Sequence, residues 1–296
     1  MDTIKGIDWD KLEGRTRHKS IFREMTFVLP AAVFLLAIIM AIFAPLLAPY
    51  DPIQPVPVDR LMPPFFIEGG STGHLLGTDS LGRDILSRVI HGAQISLSVA
   101  VMVILITSSV GTVLGIISGY LGGRVDSFLM RVTDVSLSFP PILVAILLAA
   151  VIGPSFWTVV GALSVLGWAP YARLIRGESL KIREEDFVAQ ARIIGASPFR
   201  IMTRHIFPNI INPLIIIVTL SVGMVILTEA VLSFLGVGIP PPTASWGNMV
   251  NDGRSYLGTA WWISTFPGIA IGLVVLAGNF LGDWLRDKLD PRLRQI

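Results

Sequence analysis

The sequence contains no cysteine, which excludes a disulfide framework, a thiol nucleophile and a thiolate metal site. Charge is sparse: Asp, Glu, Lys and Arg make up 15% of the 296 residues, where an average soluble domain carries about a quarter. The net charge of +2 is too small for a nucleic-acid footprint, and no such partner is expected. Histidine is scarce as well. His18, His74, His91 and His205 lie far apart, lack metal-ligand spacing and read as polar loop residues. No Gly-x-x-x-x-Gly-Lys-Ser/Thr loop occurs, so the usual cradle for nucleotide phosphates is missing. Nor is there an internal repeat, or an inverted pair of broken apolar segments of the kind that marks many secondary transporters.

What fills the chain is apolar sequence, 52% of all residues. Crossing a bilayer takes about 20 apolar residues, and six segments qualify: roughly 28–48, 93–119, 135–152, 156–172, 209–235 and 263–284. The expected fold is all-α, a polytopic membrane protein with about six transmembrane helices. Pro140-Pro141 and Pro170 interrupt the third and fourth segments, breaks that neighbouring helices tolerate by re-satisfying the backbone. Residues 1–27 mix charges of both signs and lack the apolar stretch and cleavage site of a secretory signal, so the first apolar segment reads as a retained anchor.

Orientation follows from the basic residues, because cytoplasmic loops keep an excess of them. Of 23 Lys and Arg, 19 fall in the N-terminal arm, after the second span, between Arg173 and Arg204, or in the C-terminal tail. Only Arg60, Arg83, Arg88 and Arg254 fall in the intervening segments. Both termini are expected in the cytoplasm of a multi-pass inner (plasma) membrane protein. The chain then divides into a cytoplasmic arm (1–27), a first anchor (28–48), an external loop (49–92), a core of five further spans (93–285) with a cytoplasmic loop at 173–207, and a tail (286–296).

That cytoplasmic loop reads as two short helices. Acidic residues at 184–186 suit the positive start of the first, and Phe187, Val188, Ala191 and Ile194 fall at helical spacing. Gly195 is the natural residue just past its end, where a left-handed backbone is needed. Ser197 then offers an N-cap and Pro198 the first helical position; the second helix is expected to stop at Pro208. A helix pair hung between spans needs either a partner or the lipid surface to cover its apolar side.

The pattern Ala189-Gln190-Ala191, Gly195, His205, Phe207 and Pro208 resembles the EAA loop of ABC importer permeases, a coupling helix that docks on an ATP-binding subunit. Three further stretches narrow the resemblance to the C-type permease of dipeptide, oligopeptide and nickel importers: Leu76 to Asp84, Leu232 to Met249, and Gly282 to Arg292. The resemblance implies ATPase coupling through Phe187, Ala189, Gln190, Ala191, Gly195, Ser197, Pro198 and Pro208. Ala189 departs from it, standing where the family has the glutamate. It also implies a second related permease as heterodimer partner, two ATP-binding subunits, and an external binding protein that delivers the substrate. The subunit itself is expected to be no enzyme and to hold no cofactor, ATP and magnesium belonging to the partner subunits. Short peptides are the expected cargo, with nickel or another small solute as the alternative.

Other residues carry local readings. Thr78 or Asp79 is expected to cap a helix, with Arg83 pairing an acid; on the resemblance, Asp79, Arg83, Asp84 and Trp246 are candidate contacts for the binding protein. Glu229 stands inside the fifth span, where a carboxylate is expensive; it either lines the pathway or bonds to a neighbouring helix. Arg131 and Asp134 are expected at the inner end of the third span. Trp246, Trp261 and Trp262 match an interfacial aromatic belt. An ion-coupled carrier would want more ionisable residues within its spans than Glu229, and no set of groups for an intramembrane hydrolase is evident.

Overall fold

A computed structural model describes residues 27–289; His18, the rest of the N-terminal arm and the end of the tail lie outside the described residues. Helix α1 (Phe27–Ile42) leads into the single turn α2 (Ala44–Leu47). A loop with a 3-10 turn at Pro57–Asp59 and an isolated antiparallel bridge from Thr78 to Asp84 follows. Then come α3 (Ile85–Leu121), α4 (Gly123–Ser138), α5 (Pro141–Ile152), α6 (Phe156–Gly167), α7 (Ala169–Arg183), α8 (Asp186–Ile193) and α9 (Pro198–Ile201). A π turn (Met202–Ile206) joins α9 to α10 (Phe207–Phe234), and α11 (Trp246–Gly253) and α12 (Trp262–Leu289) complete the described chain.

All six expected spans have a counterpart. Four continuous rods are long and apolar enough to cross a membrane: α3, α6 with α7, α9 through α10, and α12. The third corresponds to α4 with α5, apolar enough together but bent by 81° at the expected prolines into a broken span or a re-entrant loop, and the first to α1, an apolar helix shorter than a full crossing. Apolar side chains such as Leu105, Leu147, Val151, Ile269 and Leu276 stay exposed along these helices, as a hydrocarbon environment permits.

The boundaries move for identifiable reasons. Helix α3 begins eight residues before the expected second span, because Asp84 caps it, accepting from the Ser87 N–H and hydroxyl at 2.7 Å each. The cap is thus neither Thr78 nor Asp79, and His91 is helical, its Nδ1 bonded to the Ser87 carbonyl at 3.0 Å. Pro170 sits in the first turn of α7, where its missing N–H is harmless, so α6 with α7, the rod of the fourth span and called the fourth rod below, runs on to Arg183 and absorbs Arg173, Arg176 and Lys181. Asp134 pairs with Arg173, and Asp126 with Arg176 at 2.6 Å, fastening α4 to α7.

Pro208 does not end its helix. The π turn before it widens the ladder where the proline ring would meet a carbonyl, and the Asn209 side-chain amide donates to the His205 carbonyl at 2.7 Å. The result is one helical rod of 37 residues from Pro198 to Phe234.

Helix α3 packs against the fourth rod through glycine. Gly111, Gly115 and Gly119 form one stripe at four-residue spacing, and each backbone meets the other helix directly. A Cβ on Gly115 would lie 2.8 Å from both the Ala172 carbonyl oxygen and Ile175 Cβ; on Gly119 it would lie 2.6 Å from Ser179 Cβ. Small residues that let backbones approach are the usual means of helix association in lipid, where apolar burial supplies no drive.

Candidate functional site

The expected helix pair exists as α8 and α9, at one end of the bundle. Val188 and Ala191 bury against Ile116, Ile175, Ile201, Ile206 and Ile210, fixing the pair to α3, α7 and α10. Arg192 lies 5.4 Å over the Tyr120 ring and adds a tie to the end of α3. Gly195 ends α8 at φ +87°, and the Ala196 N–H reaches back to the Ala191 carbonyl at 3.0 Å, the bond expected of a left-handed helix terminus. Ser197 caps α9 by accepting from the Arg200 N–H at 3.3 Å, with Pro198 at the first helical position.

The outward face is the unexpected part. Ile193, Ile194 and Phe199 are 86%, 85% and 73% exposed, and Phe187, Ala189, Gln190, Gly195, Ser197, Pro198 and Pro208 are exposed with them. Ile194 therefore does not share the buried face with Val188, and Ala191 is held inside. The turn at Gly195 aims three large apolar side chains away from the bundle, which helical spacing alone does not reveal.

At the opposite end the loop before α3 folds inward. Asp79 accepts from the Leu81 and Arg83 N–H groups at 2.8 and 3.0 Å and from Arg83 Nε at 2.6 Å, while Arg83 and Arg88 each reach Asp252 of α11 at 3.5 Å. Burial pushes the Asp252 carboxyl above its usual range, outweighing the two guanidinium groups that oppose it. His74 bridges Asp84 at 2.9 Å and Asp59 at 3.6 Å. Trp246 and Trp262 are buried and donate to the Val89 and Thr78 carbonyls at 2.9 and 3.0 Å. These two tryptophans are thus core residues and not an aromatic belt; only Trp261 is partly exposed. Asp79, Arg83, Asp84 and Trp246 are likewise sealed, so none offers a surface to a partner, and their contacts set the shape of the loop instead.

Glu229 faces neither water nor a cavity. It is fully buried, accepting from the hydroxyls of Ser96 on α3 at 3.0 Å and Ser233 at 2.8 Å, so it fastens α10 to α3 and lines no pathway here. Among the described residues no group of His, Asp and Glu is arranged to hold a metal.

Residues 111–295 match the family described as the binding-protein-dependent transport system inner membrane component, and residues 19–64 match the N-terminal TM domain of oligopeptide transport permease C. The chain belongs to that permease family. Its relatives include a di/tripeptide transport system permease protein of Pseudomonas aeruginosa, 42% identical over 88% of this chain and 86% of the relative. A dipeptide transport system permease protein of Haemophilus influenzae is 38% identical over 93% of each, and one of Bacillus subtilis 41% identical over 89% of this permease and 81% of the relative. The fold is also that of a chain in the inward-facing MetNI methionine ABC transporter, with a TM-score of 0.58 and 14% identity over 70% of this permease and 98% of that chain.

Proposed function

We propose that this permease forms half of the translocation pathway of an ATP-driven importer for short peptides, with both termini in the cytoplasm. The observation that carries the coupling role is the exposed apolar face of α8 and α9, held rigidly at one end of the bundle by buried Val188 and Ala191. Three large apolar side chains on a short, polar-flanked helix pair suit a groove on a partner protein. On this reading Phe187, Gln190, Ile193 and Phe199 seat on one of two ATPase subunits, and a second related permease completes the path. The relatives named for di- and tripeptides support the cargo assignment. The outer loop, shaped by Asp79, Arg83, Arg88 and Asp252, is the surface over which an external binding protein would sit.

The test is reconstitution with the partner permease, ATPases and binding protein. ATP hydrolysis stimulated by peptide-loaded binding protein is expected from the complex and none from this chain alone. Sustained hydrolysis by the pure chain, or no response of the complex to any short peptide, overturns the reading.

Orientation has its own check. The chain has no native thiol, so single cysteines at Thr72, Ser197 and Thr259 report sidedness directly. Membrane-impermeant reagents are expected to label Thr72→Cys and Thr259→Cys from outside and Ser197→Cys from the cytoplasm, and the reverse pattern inverts the topology.

A further inference from the structure

A cavity of about 230 Å³ opens between α3, α4, α5, the fourth rod and α10. Its walls are mostly apolar, Met224 among them, and its polar groups are Thr107, Ser136, Tyr171, Ser221 and Thr228; no charged side chain lines it. The hydroxyls are not equivalent. Ser221 and Thr228 each donate to a carbonyl of their own helix at 2.7 Å, and Thr107 does so at 2.8 Å. A hydroxyl has one hydrogen and two lone pairs, so with the hydrogen committed these oxygens remain as acceptors. Tyr171 is different. It is 4% exposed, its hydroxyl lies beside Thr107 and Ser221, and it makes no hydrogen bond of ordinary geometry to either. The hydroxyls of Thr112, Ser164 and Ser179 are in the same state, and what sets Tyr171 apart from them is its place in the cavity wall.

We propose that this cavity is a transit site for the backbone of the transported peptide, a proposal that rests on the peptide reading above. The peptide group complements these walls: its N–H suits the acceptors at Ser221 and Thr228, and its carbonyl suits the Tyr171 hydroxyl. The absence of fixed charge leaves side chains unread, and the apolar walls accept small ones. Ligand pockets of drug size begin at about 300 Å³, so the cavity takes a short backbone stretch and no more.

The experiment uses the complete complex in liposomes with radiolabelled alanyl-alanine at saturating loaded binding protein. Tyr171→Phe and Ser221→Ala are expected to lower peptide taken up per ATP hydrolysed by about three- to tenfold, the effect of one lost hydrogen bond, while stimulated ATP hydrolysis stays within about twofold of the unaltered complex. Alanyl-lactate, in which an ester oxygen replaces the amide N–H, is expected to be moved more slowly than the dipeptide by the unaltered complex. The double variant Ser221→Ala with Thr228→Val is expected to lose that preference. Unchanged uptake per ATP in the single variants overturns the transit site, as does a parallel fall of uptake and hydrolysis or a retained amide preference. An unaltered complex that moves no alanyl-alanine overturns the peptide reading itself, before any variant is compared.

Discussion

Gly115→Leu is expected to abolish recovery of folded, monodisperse protein. The stripe of Gly111, Gly115 and Gly119 lets α3 touch the backbone of the fourth rod, and the nearest atoms to a new Cβ at Gly115 include the Ala172 carbonyl oxygen and the Arg176 nitrogen, at 2.8 and 3.0 Å. Backbone atoms of a continuous helix cannot step aside as a side-chain tip does. Overpacking a core typically costs about 1–3 kcal/mol when side chains can shift, and a leucine forced between two backbones should exceed that. Because this is the most extensive helix pairing among the described residues, separating it also opens the Asp126 to Arg176 pair between α4 and α7. Fluorescence-detected size exclusion of a tagged subunit measures the outcome. Gly115→Ala should already lower the yield, whereas Gly161→Ala, at an exposed site on α6 where a Cβ meets nothing within 4 Å, should not. Equal yields for the two alanine variants would remove the close-approach argument.

Gly195→Val is expected to leave the bundle intact and disable coupling. A Cβ at Gly195 meets nothing within 4 Å in this chain, so bulk is not the cause; the backbone at φ +87° is. Holding an ordinary residue there costs about 1–2 kcal/mol, a factor of about 5–30 in the population of the seated geometry. The cost falls on the turn that directs Ile193, Ile194 and Phe199 outward. Uptake and stimulated ATP hydrolysis of the assembled complex should therefore drop together by about tenfold, with normal yield of the subunit. Gly195→Asn, which tolerates left-handed backbone far better, should retain most of the activity. If asparagine and valine are equally damaging, backbone strain at this turn is not what matters; if neither is damaging, α8 and α9 are not the coupling surface.

Four spans were legible in the sequence because each is a long apolar run, while the third is bent by 81° and the first is a shorter helix; the helix pair was legible from Gly195, Ser197 and Pro198, whose local chemistry is short-range. Pro208 was misjudged because a proline ends a helix only where the preceding carbonyl ladder is tight, and the π turn at Met202–Ile206 loosens it. Trp246 and Trp262 matched a membrane belt by type and position, yet which way a ring faces depends on α3 and on the loop before it, both distant in sequence. Glu229 was correctly marked as costly, and its partner Ser96, 133 residues away, could not be named from local pattern. The glycine stripe on α3 was the missed signal: Gly-x-x-x-Gly-x-x-x-Gly inside an apolar run announces close helix contact, though not with which helix.

The unbroken run from Pro198 to Phe234 has a mechanical consequence. At 1.5 Å per residue, its 37 residues make an arm about 55 Å long, with the short capped turn at one end and the buried Glu229 near the other. Its two joints, the π turn and Pro213, both lie between Phe199 and Ser221, so a sideways push at Phe199 reaches Ser221 and Thr228 only as far as these two points stay stiff. A tilt of the whole arm by about 5° about one end would shift the other by about 5 Å, the width of a peptide backbone, so the stiffness of those two joints decides how much of a movement at Phe199 reaches the walls of the hydroxyl-lined cavity.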